Sequence, residues 1–465
     1  MSGRISRRSF LQQGTIAVTG LSALWLAACA PAAPATGGQS GAPAAAGSAP
    51  VPALLRSGSG EEDFFKKALD LFKQKHPEVE VSPIFAPGGQ DYNTKLDLMI
   101  ASGDPPAIYA PFSDRGYRYY AAKGLSQSID DLATRDNLDL KDFHPDGMKG
   151  CHWQGKLMAL PLDLWPHLIF VNKTLFKEAG VPLPTTDWTD KSWTTTQYLE
   201  TAKALTKASG DTVSQYGSNQ YSSGWPAGWA FGSDWWPADT YETGIIAKFT
   251  GDTDEKTLGA VQWVADMILK DKVSPTPAQT QQLQTGVPSL FMSGKIAMYM
   301  GNIGSLSNFA NIKQFEWGTA AIPFPPDGSD RHQHVWIDFW SMIKGVKNLE
   351  GAWQLLKFMV SADAQKIYPC EYGPQSSLLS LGSYWVDLQR KKLSNLSDDE
   401  FKVMTEAPKY EQIDPENWTV NMSVVNSEAL QPALDKVWLG QGSAKDIITE
   451  AAADIRKAID KSKGS

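Results

Sequence analysis

Six acidic residues stand on segments that could border a cleft: Glu61, Asp114, Asp163, Asp234, Asp239 and Asp338. Two carboxylates about 5–9.5 Å apart across a bond would make a glycosidase. Single carboxylates that each accept two hydroxyls would instead hold a polyol and fix its orientation. The aromatic residues favour the second chemistry. The chain has 17 Trp, 14 Tyr and 18 Phe, and Trp225, Trp229, Trp235 and Trp236 fall within one Gly- and Pro-containing stretch. Trp165, Trp336 and Trp340 lie near other irregular segments. Trp263 and Trp353 sit inside helical patterns and read as core. Tryptophan on loops is harder to assign to packing, because loops run over the surface. A flat indole with one donor suits the C–H face of a sugar ring.

Other chemistries lack their residues. No Ser/His/Asp elbow, HExxH or paired CxxC is present. The six histidines, His332 and His334 included, have no zinc spacing. No catalytic residue, metal or cofactor is therefore expected. An anionic ligand would call for a helix N-terminus or an Arg cluster, and neither is evident. A cation would want several acids with aromatics, so a cationic ligand such as a polyamine is the alternative. A secreted glycoside hydrolase is the remaining one.

The N-terminus reads as an address. Ser6-Arg7-Arg8-Ser9-Phe10-Leu11 resembles the twin-arginine export motif, with Gln12 where lysine often stands. Ile16 to Ala28 is apolar but short of the about 20 residues that a membrane span needs. Leu26-Ala27-Ala28-Cys29 resembles a lipobox, which makes 1–28 a signal peptide and Cys29 the acylation site. Residues 29–52 are almost all Ala, Pro, Gly and Ser, the composition of a tether. The expected location is the cell envelope, lipid-anchored on the extracytoplasmic face.

About 410 residues remain, enough for two or three domains. Hydrophobic residues at 42% and charged residues at 20% describe a globular body with a sizeable core. The net charge of −8 and the lack of a basic stripe argue against nucleic acid. Cys151 and Cys370 could pair in an exported protein or stay free.

The elements that must position the candidate residues alternate. A strand at Ala53–Leu55 precedes a helix at Glu61–His76, a strand at Val79–Phe85, a helix at Tyr92–Ala101 and a strand at Ala107–Ala110. This order predicts an α/β body with a mainly parallel sheet, with ligand beyond the carboxyl ends of its strands. Ser192, Thr253 and Asn348 are candidate caps for helices at Trp193–Lys207, Asp254–Lys270 and Leu349–Ile367. A last helix is expected near Ala444–Lys461. Asp211 to Gly244 lacks periodicity and reads as a long functional loop.

Several blocks together resemble the bacterial extracellular solute-binding proteins of family 1. They are Ala101-Ser102-Gly103-Asp104-Pro105-Pro106-Ala107, Gly155 to Pro161 with Phe170-Val171-Asn172-Lys173, and Leu290 to Met298. Asn348 to Trp353 with Phe358 and Ser361 to Gln365, and then Glu371-Tyr372-Gly373-Pro374, continue the series. Ala107 stands where the family has an acidic residue.

The resemblance implies a two-lobed, type II periplasmic-binding-protein clamshell with a multi-strand hinge. Lobe one would hold 53–162 and 340–369, and lobe two 167–336 and 375–461. Crossings would fall at Leu162–Pro166, Trp336–Trp340 and Tyr372–Gln375. It further implies a monomer that binds a sugar or oligosaccharide between the lobes and delivers it to ABC transporter permeases and their ATPase. Stacking is expected from Trp165, Trp225, Trp229, Trp235, Trp236, Trp336 and Trp340. Polar contacts are expected from Asp163, Asn302, Asp338, Glu61 and Tyr372, and from Asp114 and Arg115, which align with an Asp-Arg pair of the family's maltodextrin-binding member.

Overall fold

A computed structural model describes residues 49–111, 115–210, 212–219, 225–282, 287–331, 334–410, 412–413 and 415–463. The expected signal peptide, the expected acylation site Cys29 and Asp114 lie outside the described residues. Ser48–Ser465 is one compact unit. Among the described residues, no helix is long and apolar enough to cross a membrane.

Two mixed sheets organise this unit. The strands in chain order are β1 Val51–Arg56, β2 Val81–Ala86, β3 Ile108–Tyr109, β4 His152–Trp153, β5 Lys156–Leu157, β6 Ala159–Trp165 and β7 His167–Asn172. They continue with β8 Lys207–Ser209, β9 Thr212–Ser218, β10 Ile296–Asn302, β11 Trp317–Ala320, β12 His334–Met342, β13 Gln375–Ser376 and β14 Gln412–Ile413. The first sheet runs β13-β6-β12-β3-β1-β2, with β14 on β12, and the second runs β11-β7-β10-β9-β8. β4 and β5 form a separate hairpin.

The expectation of a mainly parallel sheet is corrected. β1 pairs parallel with β2 and β3, but β12 runs antiparallel to β3 and β6, and β7 antiparallel to β10 and β11. The chain leaves the first sheet at Trp165 and enters the second at His167, with only Pro166 between. Proline has no amide hydrogen to offer a ladder. Of the return passage the structure describes 321–331, and Trp336–Trp340 fall inside β12. The helix Asp398–Glu406 then packs on the second sheet, where the Lys173 ammonium meets Glu400 at 3.1 Å.

Helix ends differ from the expected ones for local reasons. Asp254, not Thr253, caps Glu255–Leu269 by accepting from Thr257 N. Ser192 bonds Asp190 instead, and the helix it was to cap is Thr195–Leu205. Asn348 does cap its helix, which ends at Met359 before Ser361 starts another turn. The expected loop at 211–244 contains β9, a 3-10 helix at Trp225–Phe231 and a helix at Asp239–Thr243. Cys151 and Cys370 are both buried and free.

Candidate functional site

Arg56 ends β1 at the core of the site. It is 1% exposed and faces three carboxylates: Asp338 at 2.5 Å from Nη1, Glu61 at 3.2 Å from Nε, and Asp163 at 3.9 Å from Nη2. Its Nη2 also donates to the Tyr368 hydroxyl at 2.8 Å, which donates in turn to Glu61 at 2.8 Å. Glu61 is in place because it is the first residue of the helix Glu61–Lys75, where a carboxylate also meets the positive helix end. Asp163 and Asp338 are direct cross-strand partners on β6 and β12. One cation therefore sits among three acids, and all four are buried.

Burial, and then the Asp338 charge, push the Asp163 carboxyl well above the ordinary carboxylate range, against the pull of Arg56. Removing charge from water in this way is costly unless the geometry compensates it.

Above this cluster the site turns aromatic. Trp165, two residues along β6 from Asp163, shares its side of the strand and donates Nε1 to Asp163 Oδ1 at 2.9 Å. Trp336 is the direct partner of Trp165 on β12, and both are half-buried. Tyr372 approaches the Trp165 ring edge-on with centroids 6.1 Å apart, and stacks on Tyr368 at 5.4 Å. Phe64 meets Tyr372 from the first helix at 5.6 Å. Asn302 ends β10 of the second sheet, where its Oδ1 accepts the Gly304 N–H at 2.9 Å. A Cβ on Gly304 would come within 2.5 Å of the Trp165 ring, so the indole lies on that glycine.

The structure thus brings together Glu61, Asp163, Trp165, Asn302, Trp336, Asp338 and Tyr372. Four expectations are corrected. Trp340 is fully buried and packs edge-on against Phe65 at 6.0 Å. Trp229, Trp235 and Trp236 belong to an apolar core with Phe249 and the helices Glu255–Leu269 and Ala444–Ser462. Trp229 is held there by Asp234, to which Nε1 donates at 2.8 Å, and Trp235 stacks on Phe249 at 6.0 Å. Burial takes these indoles from the surface. Asp163 and Asp338 are 0% and 5% exposed, with Arg56 rather than solvent against them.

Arg115 pairs with Asp97 at 2.5 Å and lies over the Tyr119 ring, away from the cluster. Asp114 lies outside the described residues, and Trp225 is described only as the start of its 3-10 helix. Asp239 is exposed on a helix start. Arg56, Tyr368 and Gly304 are the site residues that sequence reasoning missed. Only Arg56 carried a signal, as the last residue of a strand in a sheet whose ligands sit beyond carboxyl ends. Among the described residues, no group of three or more His, Cys, Asp or Glu could hold a metal ion.

Comparison with known proteins gives one consistent result. The family profile described as bacterial extracellular solute-binding protein matches residues 55–366. A binding protein of Brucella abortus (strain 2308) is 25% identical over 311 residues, covering 64% of this chain and 67% of that one. The sn-glycerol-3-phosphate-binding periplasmic protein UgpB of Yersinia enterocolitica is 23% identical over 314 residues, covering 63% and 66%. Among solved structures, the ABC substrate-binding protein Lmo0181 of Listeria monocytogenes in complex with cycloalternan superposes with a TM-score of 0.72 at 20% identity, covering 88% of this chain and 98% of that one. UgpB of Mycobacterium tuberculosis in complex with glycerophosphocholine gives 0.69 at 16% identity, covering 89% and 99%. These structural likenesses establish the two-lobed type II binding-protein fold.

Proposed function

We propose that this chain, which belongs to the bacterial extracellular solute-binding protein family, captures a neutral carbohydrate between the bodies built on its two sheets. The observation that carries the reading is the Trp165–Trp336 pair. Two half-buried indoles stand side by side where the chain passes between sheets, with Tyr372 at the ring edge. Such faces suit the C–H surface of a sugar. The lobes close on ligand by moving at the passages, at Pro166 and in 321–331, and closure is what a permease reads. The protein is the capture component, without catalysis, of an ABC transporter with permease and ATPase partners, and it works as a monomer held at the extracytoplasmic face by acyl chains on Cys29.

The charge of the cluster argues about ligand class. Even with Asp163 holding its proton, Glu61 and Asp338 against the one arginine leave an acidic excess beside the aromatics. An anion such as sn-glycerol 3-phosphate would meet repulsion there. A cationic ligand such as a polyamine is the second reading, favoured by the same excess. A thermal-shift panel of mono- to hexasaccharides, spermidine and sn-glycerol 3-phosphate separates them. The expected outcome is a rise with at least one glycan and none with the phosphate. A response to spermidine alone would replace the carbohydrate reading.

A further inference from the structure

We infer that Asp163 is a positioning residue, which fixes the indole of Trp165 rather than touching ligand, and that Gly304 completes the clamp from the other side. This rests on the reading of Trp165 as the stacking surface.

Asp163 is fully buried, and its two oxygens have different duties. Oδ1 accepts the Trp165 Nε1–H at 2.9 Å, whereas Oδ2 faces Arg56 Nη2 at 3.9 Å. Arg56 is itself fixed by Asp338 and Tyr368, so the carboxylate that orients the indole is held by residues of β1, β12 and the segment before β13. A tryptophan near a strand end otherwise has two free torsions. Here the Nε1 bond lays the ring back along β6 toward Asp163, a residue on the same strand face.

The opposite side of the ring is closed by backbone. Gly304 follows β10 of the second sheet, and its turn is held by the Asn302 cap at 2.9 Å. A methyl there would overlap the Cζ3 edge of the indole. Tyr372 limits the ring edge, with its centroid 6.1 Å away. The indole is therefore held by the first sheet through a hydrogen bond and by the second through contact. Its orientation depends on both bodies being in register. Holding a side chain in its bound geometry before binding removes an ordering cost, which corresponds to about two- to tenfold in affinity.

Two readouts test this, the first without ligand. In protein carrying 15N-labelled tryptophan, the Trp165 indole signal is identified by its loss in Trp165→Phe. Asp163→Ala should move that signal and speed its proton exchange. Asp163→Asn, which keeps an acceptor oxygen, should restore it. Gly304→Ala leaves the buried acids intact and should also move it, which keeps the test available should Asp163→Ala fail to fold. An indole signal unmoved in Asp163→Ala or Gly304→Ala overturns the inference.

The second readout is the dissociation constant for maltotriose by calorimetry. Asp163→Ala should weaken it about three- to tenfold, with Asp163→Asn within about twofold of the starting protein. In a Trp165→Phe background Asp163→Ala should add nothing, because the bond it removes is already gone. Full additivity in that cycle overturns positioning. Should maltotriose and every other glycan of the panel fail to bind any form while the indole signal responds as stated, positioning stands and the carbohydrate reading falls.

Discussion

Arg56→Met removes the cation that, among the described residues, pairs with a buried group of three carboxylates, and leaves a side chain of similar length. Arg56 is 1% exposed, so solvent does not screen what it leaves behind. Breaking a buried ion pair by deleting one partner costs about 3–5 kcal/mol. The described body spans about 415 residues. At about 2.1 cal/mol/K per residue its melting entropy is close to 0.9 kcal/mol/K, so the loss corresponds to roughly 3–6 °C. Differential scanning calorimetry at neutral pH should record that drop. The deficit should shrink on moving to about pH 4.5, because acids without a cation take up protons in its place. A drop below about 1 °C at neutral pH, or one of equal size in acid, would refute the reasoning, since either means that Arg56 does not compensate buried charge.

Four other outcomes follow from particular contacts. The Asp163 carboxyl holds its proton more tightly folded than unfolded, so its contribution is fullest below the unfolded value near 3.9 and is lost as pH rises toward the folded one. Asp163→Asn cannot titrate, so its melting temperature should gain on the starting protein from pH 4 to pH 7; a constant difference would contradict the shift. Trp235→Ala should cost about 3–5 kcal/mol in a denaturant melt while leaving glycan affinity within twofold (about 0.4 kcal/mol), and a selective affinity loss would return Trp235 to the site. Asn348→Ala removes the 2.9 Å cap to Gly351 N and a 2.8 Å bond to Ala49 O; it should cost about 1 kcal/mol by the same melt. Cys29→Ser should release the protein to the soluble fraction or leave it unprocessed, and a cleaved, membrane-bound product would sink the anchor.

Much of the fold was legible because each early element has a plain periodic pattern. The helix from Glu61 buries Phe65, Ala68 and Phe72 on one side, which is the spacing that the sequence displays. Strand direction was not legible. Nothing in the nine residues of β12 says that they run antiparallel to β3 and β6 and parallel to β14. The stretch around Trp229 to Trp236 misled because its 3-10 helix lacks the 3.6-residue period, and its core is shared between the nearby helix Glu255–Leu269 and C-terminal helices about 200 residues onward. Asp163 and Asp338 were identified as site residues, yet their burial was hidden, since Arg56 lies 282 positions from Asp338. Arg56 itself looks like an ordinary strand-ending charge until three acids from distant segments enclose it.

Carbohydrate capture by this protein depends most on a sugar lying against Trp165. Calorimetric titration of the best-binding glycan of the panel into the starting protein and into Trp165→Ala tests it directly. The predicted result is a dissociation constant at least about tenfold weaker in the variant, roughly 1.4 kcal/mol, with the melting temperature of the ligand-free protein lowered by no more than about 3 °C, the cost of leaving the buried Asp163 acceptor unpartnered. Equal affinity in the two proteins, with the same glycan and the same buffer, would contradict it.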